Sequence, residues 1–151
     1  MHLSIVLVLT FLPLPIGSAA IQAARATATS DHNAIPLATL QFQLEGGVTP
    51  IELRQIIGNF LLLLPLGVYG PVLSPGLRSL PAIVLVGAGL STIIELGQLA
   101  VATAYGFPVR VADIDDVLLN TSGVLVGYLL WRAWSTLASV DSDHAVRGSA
   151  D

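Results

Sequence analysis

An all-α, polytopic membrane helix bundle is the fold class this sequence predicts, on three observations. Only 11% of its 151 residues are charged and 54% are hydrophobic, whereas a soluble domain carries roughly 25% charged residues. Mean hydropathy is +0.80. The apolar residues also collect into four stretches, each near the roughly 20 residues a helix needs to cross about 30 Å of hydrocarbon. The expectation is four transmembrane helices, or three if the first stretch is a cleaved signal.

The first stretch, 1–24, reads MHLSIVLVLTFLPLPIGSAAIQAA and has no Asp, Glu, Arg or Lys before Arg25. Its apolar centre and the small residues Ser18, Ala19 and Ala20 also suit a secretory signal. Its start, however, offers only the terminal amine and His2 where a signal usually has Lys or Arg. An uncleaved helix is the preferred reading, and both readings place Ala26–Thr49 on the outer side. That region mixes TSDHN, Pro36 and EGG, as a loop would, with room for an interfacial piece.

The second stretch runs from Ile56 to Leu73 and is interrupted by Pro65 and Pro71. Proline removes an amide donor and favours a kink, which membrane helices tolerate better than soluble ones. SPGLRSLP at 74–81 is a short turn, so the third stretch, Leu80–Thr103, should run antiparallel to the second. The fourth begins near Val117 and reaches about Leu137, with Arg132 snorkelling and Trp131 and Trp134 at the interface. The closing DSDHAVRGSAD reads as a polar, disordered tail. The resulting division is a first helix or signal-like segment (1–24), a helical membrane domain (25–137) and the tail (138–151).

Several function classes are excluded by composition. There is no lysine, and the six arginines are scattered singly, so no basic patch could follow a nucleic-acid backbone. Without cysteine there is no disulfide or thiolate chemistry. His2, His32 and His144 are too far apart to specify a zinc site, no serine has a histidine partner, and no glycine-rich phosphate loop occurs. Arginine counting divides three and three between the two sides, so charge alone does not orient the chain.

The polar residues inside the apolar stretches are more informative. Asn59 opens the second stretch, Glu95 and Gln98 lie late in the third, and Asp113, Asp115, Asp116 and Asn120 open the fourth. Consecutive membrane helices alternate direction, so all three sets fall toward one side of the bilayer. Ser91, Glu95 and Gln98 share a helix face, as do Asp116, Asn120, Gly123 and Gly127. Gly123 and Gly127 form a small-xxx-small pattern suited to close helix packing. An ionised Glu95 facing lipid near mid-membrane would cost at least about 2.5 kcal/mol, so it must face the bundle, reach the interface or be protonated. It is either a functional group or packing glue, and the sequence favours neither. Asp113 could cap the fourth helix, with Asp115 and Asp116 in its first turn. A divalent cation at Asp113, Asp115 and Asp116 is chemically open. Arg54 and Arg110 are secondary candidates, either as ion-pair partners or for a ligand phosphate or carboxylate.

Taken together, HNAIPLATL at 32–40, IIGNFLLLLPLGV at 56–68, IIELGQL at 93–99 and VADIDDVLLNTSGVLVGYLLWR at 111–132 resemble the VanZ-like family. These are small bacterial membrane proteins named for one associated with teicoplanin resistance. The resemblance spans about Asp31 to Trp134. It implies a multi-pass protein of the bacterial cytoplasmic membrane with its first and third loops extracytoplasmic, and it carries over Asn59, Glu95, Gln98, Asp113, Asp115, Asp116 and Asn120. It further implies an envelope protein that binds an envelope lipid, wall precursor or glycopeptide-like ligand and so reduces glycopeptide action. The alternatives are an intramembrane hydrolase or lipid-modifying enzyme using Glu95 and the Asp cluster, or a structural accessory subunit. Expected partners are membrane lipids, such a ligand, and a second copy or another membrane protein.

Overall fold

The computed structural model describes residues 15, 17–27, 32–33, 35–107 and 112–148. In chain order these form α1 (Ser18–Thr27), β1 (His32–Asn33), α2 (Ala38–Gly46), α3 (Pro50–Leu62), α4 (Leu64–Leu73), a 3-10 turn (Pro75–Leu77), α5 (Leu80–Tyr105), β2 (Ala112–Asp113) and α6 (Ile114–Gly148). Among the described residues the fold is all-α apart from one short parallel pairing, His32 with Ala112 and Asn33 with Asp113. That pairing ties the loop after α1 to the entry of α6.

Most of the 1–24 stretch lies outside the described residues. Its end forms α1, which meets the far end of α5. There the Arg25 guanidinium lies 5.8 Å from the Phe107 ring centre, and the Tyr105 hydroxyl donates to the Pro15 carbonyl at 3.3 Å. Within 26–49, read from sequence as loop with room for an interfacial piece, the chain forms α2. α6 carries helix on through Gly148, into the stretch read as tail.

The second apolar stretch starts earlier than its sequence suggests, because Thr49 and Glu52 close a capping box ahead of Pro50. The Thr49 hydroxyl accepts from the Glu52 amide at 3.3 Å, and the Glu52 carboxylate accepts from the Thr49 amide at 2.7 Å. The helix breaks at Leu63 (φ −105°, ψ 1°), two residues before Pro65. A proline has no amide for the preceding turn and its ring crowds that turn, so the break falls upstream of the ring. Pro71 stays within α4, and its carbonyl accepts from Arg78 Nε at 3.2 Å. α5 ends at Gly106 in the left-handed region (φ 69°), whose amide bonds back to Thr103, a conformation that costs glycine no Cβ clash.

α6 is the central element, packing on α3, α4 and α5. The core is Leu63, Ile83, Ile94, Val124 and Tyr128, with the Tyr128 hydroxyl donating to the Arg78 carbonyl at 2.9 Å. The contact with α3 and α4 is backbone against backbone. A Cβ at Gly123 would stand 1.9 Å from the Phe60 carbonyl oxygen, one at Gly127 2.2 Å from that of Leu64, and one at Gly67 2.1 Å from that of Val124.

Among the described residues, two helical runs are long and apolar enough to cross a membrane: Pro50–Leu73, which is α3 and α4 together, and Leu80–Tyr105. Only 22% and 28% of their most apolar windows is buried within the bundle, so most of their apolar surface faces outward, unlike the core helix of a soluble protein. These two runs match the second and third of the four expected crossings. α6 is long enough, but the polar and small residues of its inward face dilute its apolarity, and the first stretch lies largely beyond the described residues.

Candidate functional site

The buried positions of α5, including Ile83, Gly87, Ser91, Glu95, Gln98 and Ala102, recur every three or four residues and form one stripe facing the bundle. The opposing face of α6 carries Asp113 at its entry and Asp115, Asp116 and Asn120 in its first two turns, all buried. Polar side chains from α3, α5 and α6 therefore meet at one end of the bundle, and the hydrogen bonds show how.

Glu95 Oε2 accepts from the Asp113 backbone amide at 3.0 Å. Asp113 Oδ1 accepts from the Asp115 amide at 2.9 Å, which is the geometry of an N-cap for α6. Asp115 turns away from this chain of contacts. Its carboxylate accepts from the backbone amides of Leu37, Thr39 (3.0 Å) and Leu40 (3.1 Å). It thus caps α2 from more than seventy residues along the chain. Leu37, just before α2, sits in the left-handed region at φ 67°, which costs a non-glycine residue about 1–2 kcal/mol. The Asp115 carboxylate holds it there.

Asn120 is only 1% exposed. Its Nδ2 donates to Ser91 Oγ at 2.8 Å, joining α6 to α5, but its Oδ1 is buried without a partner. The amides of Asn59 and Gln55 on α3 approach the Asp116 carboxylate. The Asn59 Nδ2 approach falls short of a well-formed hydrogen bond, because that nitrogen is buried with no partner at bonding geometry. Asp113 and Asp116 both lie close enough to Glu95 for their charges to repel. Gln98 is buried one turn beyond Glu95.

Asn59, Glu95, Gln98, Asp113, Asp116 and Asn120 thus lie in one neighbourhood, and Asp115 adjoins it while serving α2. Arg54 is exposed and pairs with no described carboxylate, and Arg110 lies outside the described residues. At Asp113 and Asp115, where the sequence leaves a divalent cation open together with Asp116, the carboxylates take separate hydrogen-bond partners. Among the described residues, no three His, Cys, Asp or Glu side chains converge on a common point. The reason is visible in the contacts, since Asp113 is committed to the start of α6 and Asp115 to the start of α2. The structure adds Gln55 and Gln43 to the polar set, and it sets Ser91, already read on the Glu95 face, against Asn120. Gln55 could have been found from its spacing of four from Asn59. Gln43 is buried, with an unpartnered Oε1, in a segment with no periodicity to reveal it.

A family model, VanZ/LLP1, matches residues 1–135. No curated protein and no solved structure matches the chain.

Proposed function

Because this chain belongs to the VanZ/LLP1 family, a family of membrane proteins, we propose that it is a binding protein of the cell envelope. Its polar cluster, held toward the extracytoplasmic side, receives a hydrogen-bond-donating group of an envelope lipid, a wall precursor or a glycopeptide-like ligand. The chemistry divides within the cluster. Asp113 and Asp115 stabilise helix starts, which is structural work. Asn120 Oδ1 is left as an open acceptor in the same cluster as the Glu95 and Asp116 carboxylates, with no described arginine paired to them. A donor group such as an amine or hydroxyl would answer that open acceptor.

The observation that carries this reading is Asn120. A side chain serving only as glue between α5 and α6 would have both ends of its amide bonded, because buried polar atoms in folded proteins nearly always find partners. Asn120 bonds Ser91 with one end and leaves the other open in a buried, acceptor-rich place.

Glu95→Gln is the test, since glutamine retains an oxygen for the Asp113 amide while removing the charge. The purified full chain in detergent is titrated with teicoplanin and, separately, with phosphatidylethanolamine, and its thermal midpoint is followed. A rise with either probe in wild type that is lost in Glu95→Gln supports the reading. No rise with either probe, or equal rises in both proteins, counts against it. Loss of expression of Glu95→Gln in the membrane would instead identify a packing role for Glu95.

A further inference from the structure

We propose that α2 is a membrane-seated helix, lying in the interfacial layer of the bilayer with Phe42 and Leu44 against the lipid. The pattern of α2 is inverted relative to a helix covering a soluble core. Its one buried residue is polar, Gln43 at 8% exposure, while Phe42 is 75% and Leu44 69% exposed. At 100° per residue, Gln41 and Glu45 share the side opposite Gln43, and Phe42 and Leu44 project on the flanks between. Gln41 Nε2 donates to Glu45 Oε1 at 2.7 Å, so the outer stripe is polar and internally paired. A polar outer stripe, apolar flanks and a polar contact to the bundle suit the boundary between headgroups and acyl chains.

A further observation specifies lipid as the occupant of these flanks. Exposed apolar side chains recur just along the chain in the first turns of α3, at Ile51, Leu53 and Ile57, which belong to a run long and apolar enough to cross the membrane. The free amides at both helix starts are met by protein groups. Asp115 supplies acceptors to the amides of Leu37, Thr39 and Leu40 at the start of α2, and the Thr49–Glu52 box serves the start of α3. Asp115 therefore acts as an anchor for α2, reaching from the central helix to hold this segment at its depth.

The chain contains no cysteine, so single cysteines placed at Phe42, Leu44, Glu45 and the exposed mid-α5 position Leu85 can each carry a spin label in the full chain. After reconstitution in phosphatidylcholine–phosphatidylglycerol vesicles, label collision with oxygen, which concentrates in lipid, is compared with collision with a water-soluble nickel chelate. Labels at 42 and 44 are expected to favour oxygen, shifted toward the value at Leu85, while the label at 45 favours nickel. Nickel accessibility at 42 and 44 equal to that at 45 would overturn the proposal. Protection of 42 and 44 from both reagents would overturn it too, because a second copy or another protein would then cover them. Two flank positions keep the test open if one variant fails to fold, and in Asp115→Asn both flank labels shift toward nickel if Asp115 is the anchor.

Discussion

Replacing Gly123 with alanine tests the packing on which the whole polar cluster depends. The added Cβ would lie 1.9 Å from the Phe60 carbonyl oxygen, about 1.5 Å short of the 3.4 Å at which ordinary contact begins. The obstacle is backbone and cannot rotate aside, so α3 and α6 must separate. Overpacking of this kind costs about 1–3 kcal/mol, and a backbone clash belongs at the upper end. Alanine returns about 1 kcal/mol through its better helix propensity, leaving a net loss of about 2 kcal/mol, within the range where the folded-to-unfolded ratio falls roughly 5- to 30-fold. Gly89 is the matched control. It lies on α5 with nothing within 4 Å of its would-be Cβ, so Gly89→Ala should be neutral or up to about 1 kcal/mol stabilising. Helicity followed by circular dichroism during titration of micelles with sodium dodecyl sulfate gives both values. Because Asn59 lies one residue before Phe60, the same separation should draw its amide from Asp116. If Gly123→Ala is as stable as Gly89→Ala, the close approach of α3 to α6 is wrong, and with it the meeting of Asn59 and Asp116.

Three further outcomes follow from named contacts. Ser91→Ala should cost about 1–3 kcal/mol by leaving the Asn120 amide unpaired at both ends, whereas Ser91→Ala with Asn120→Leu should return to within about 1 kcal/mol of wild type, since removing both partners removes the desolvated groups; equal loss in the single and double variants would contradict the Ser91–Asn120 bond. Asp115→Ala removes the cap of α2 and should cost about 2 kcal/mol, seen as faster hydrogen exchange at Leu37, Thr39 and Leu40; unchanged protection there would show that the carboxylate does not hold them. Chelation with EDTA, or addition of calcium or magnesium, should leave the thermal midpoint in place, because Asp113 and Asp115 are turned to separate helix starts; a cation-dependent rise would require those carboxylates to regroup.

Local chemistry made part of this molecule readable from its residues alone. Apolar runs locate α3 to α6 because burial in lipid is additive along a helix. The start of α6 was visible in Asp113, since an N-cap reaches only two residues ahead. Counting helix directions brought Asn59, Glu95 and Asn120 to one end of the bundle, because alternation needs no knowledge of packing. The destination of each side chain is another matter. Asp113, Asp115 and Asp116 are nearly consecutive, yet one caps its own helix, one caps α2 and one faces α3. No spacing rule separates them, because each role is set by which element lies opposite. Packing alone also decided that the break in the second apolar run falls at Leu63, that Gln43 turns inward, and that Asn120 is bonded at one end only. Periodicity records which face of a helix avoids lipid. The partner across that face is chosen by the approach of backbones at Gly67, Gly123 and Gly127, a long-range fit between segments distant in the chain.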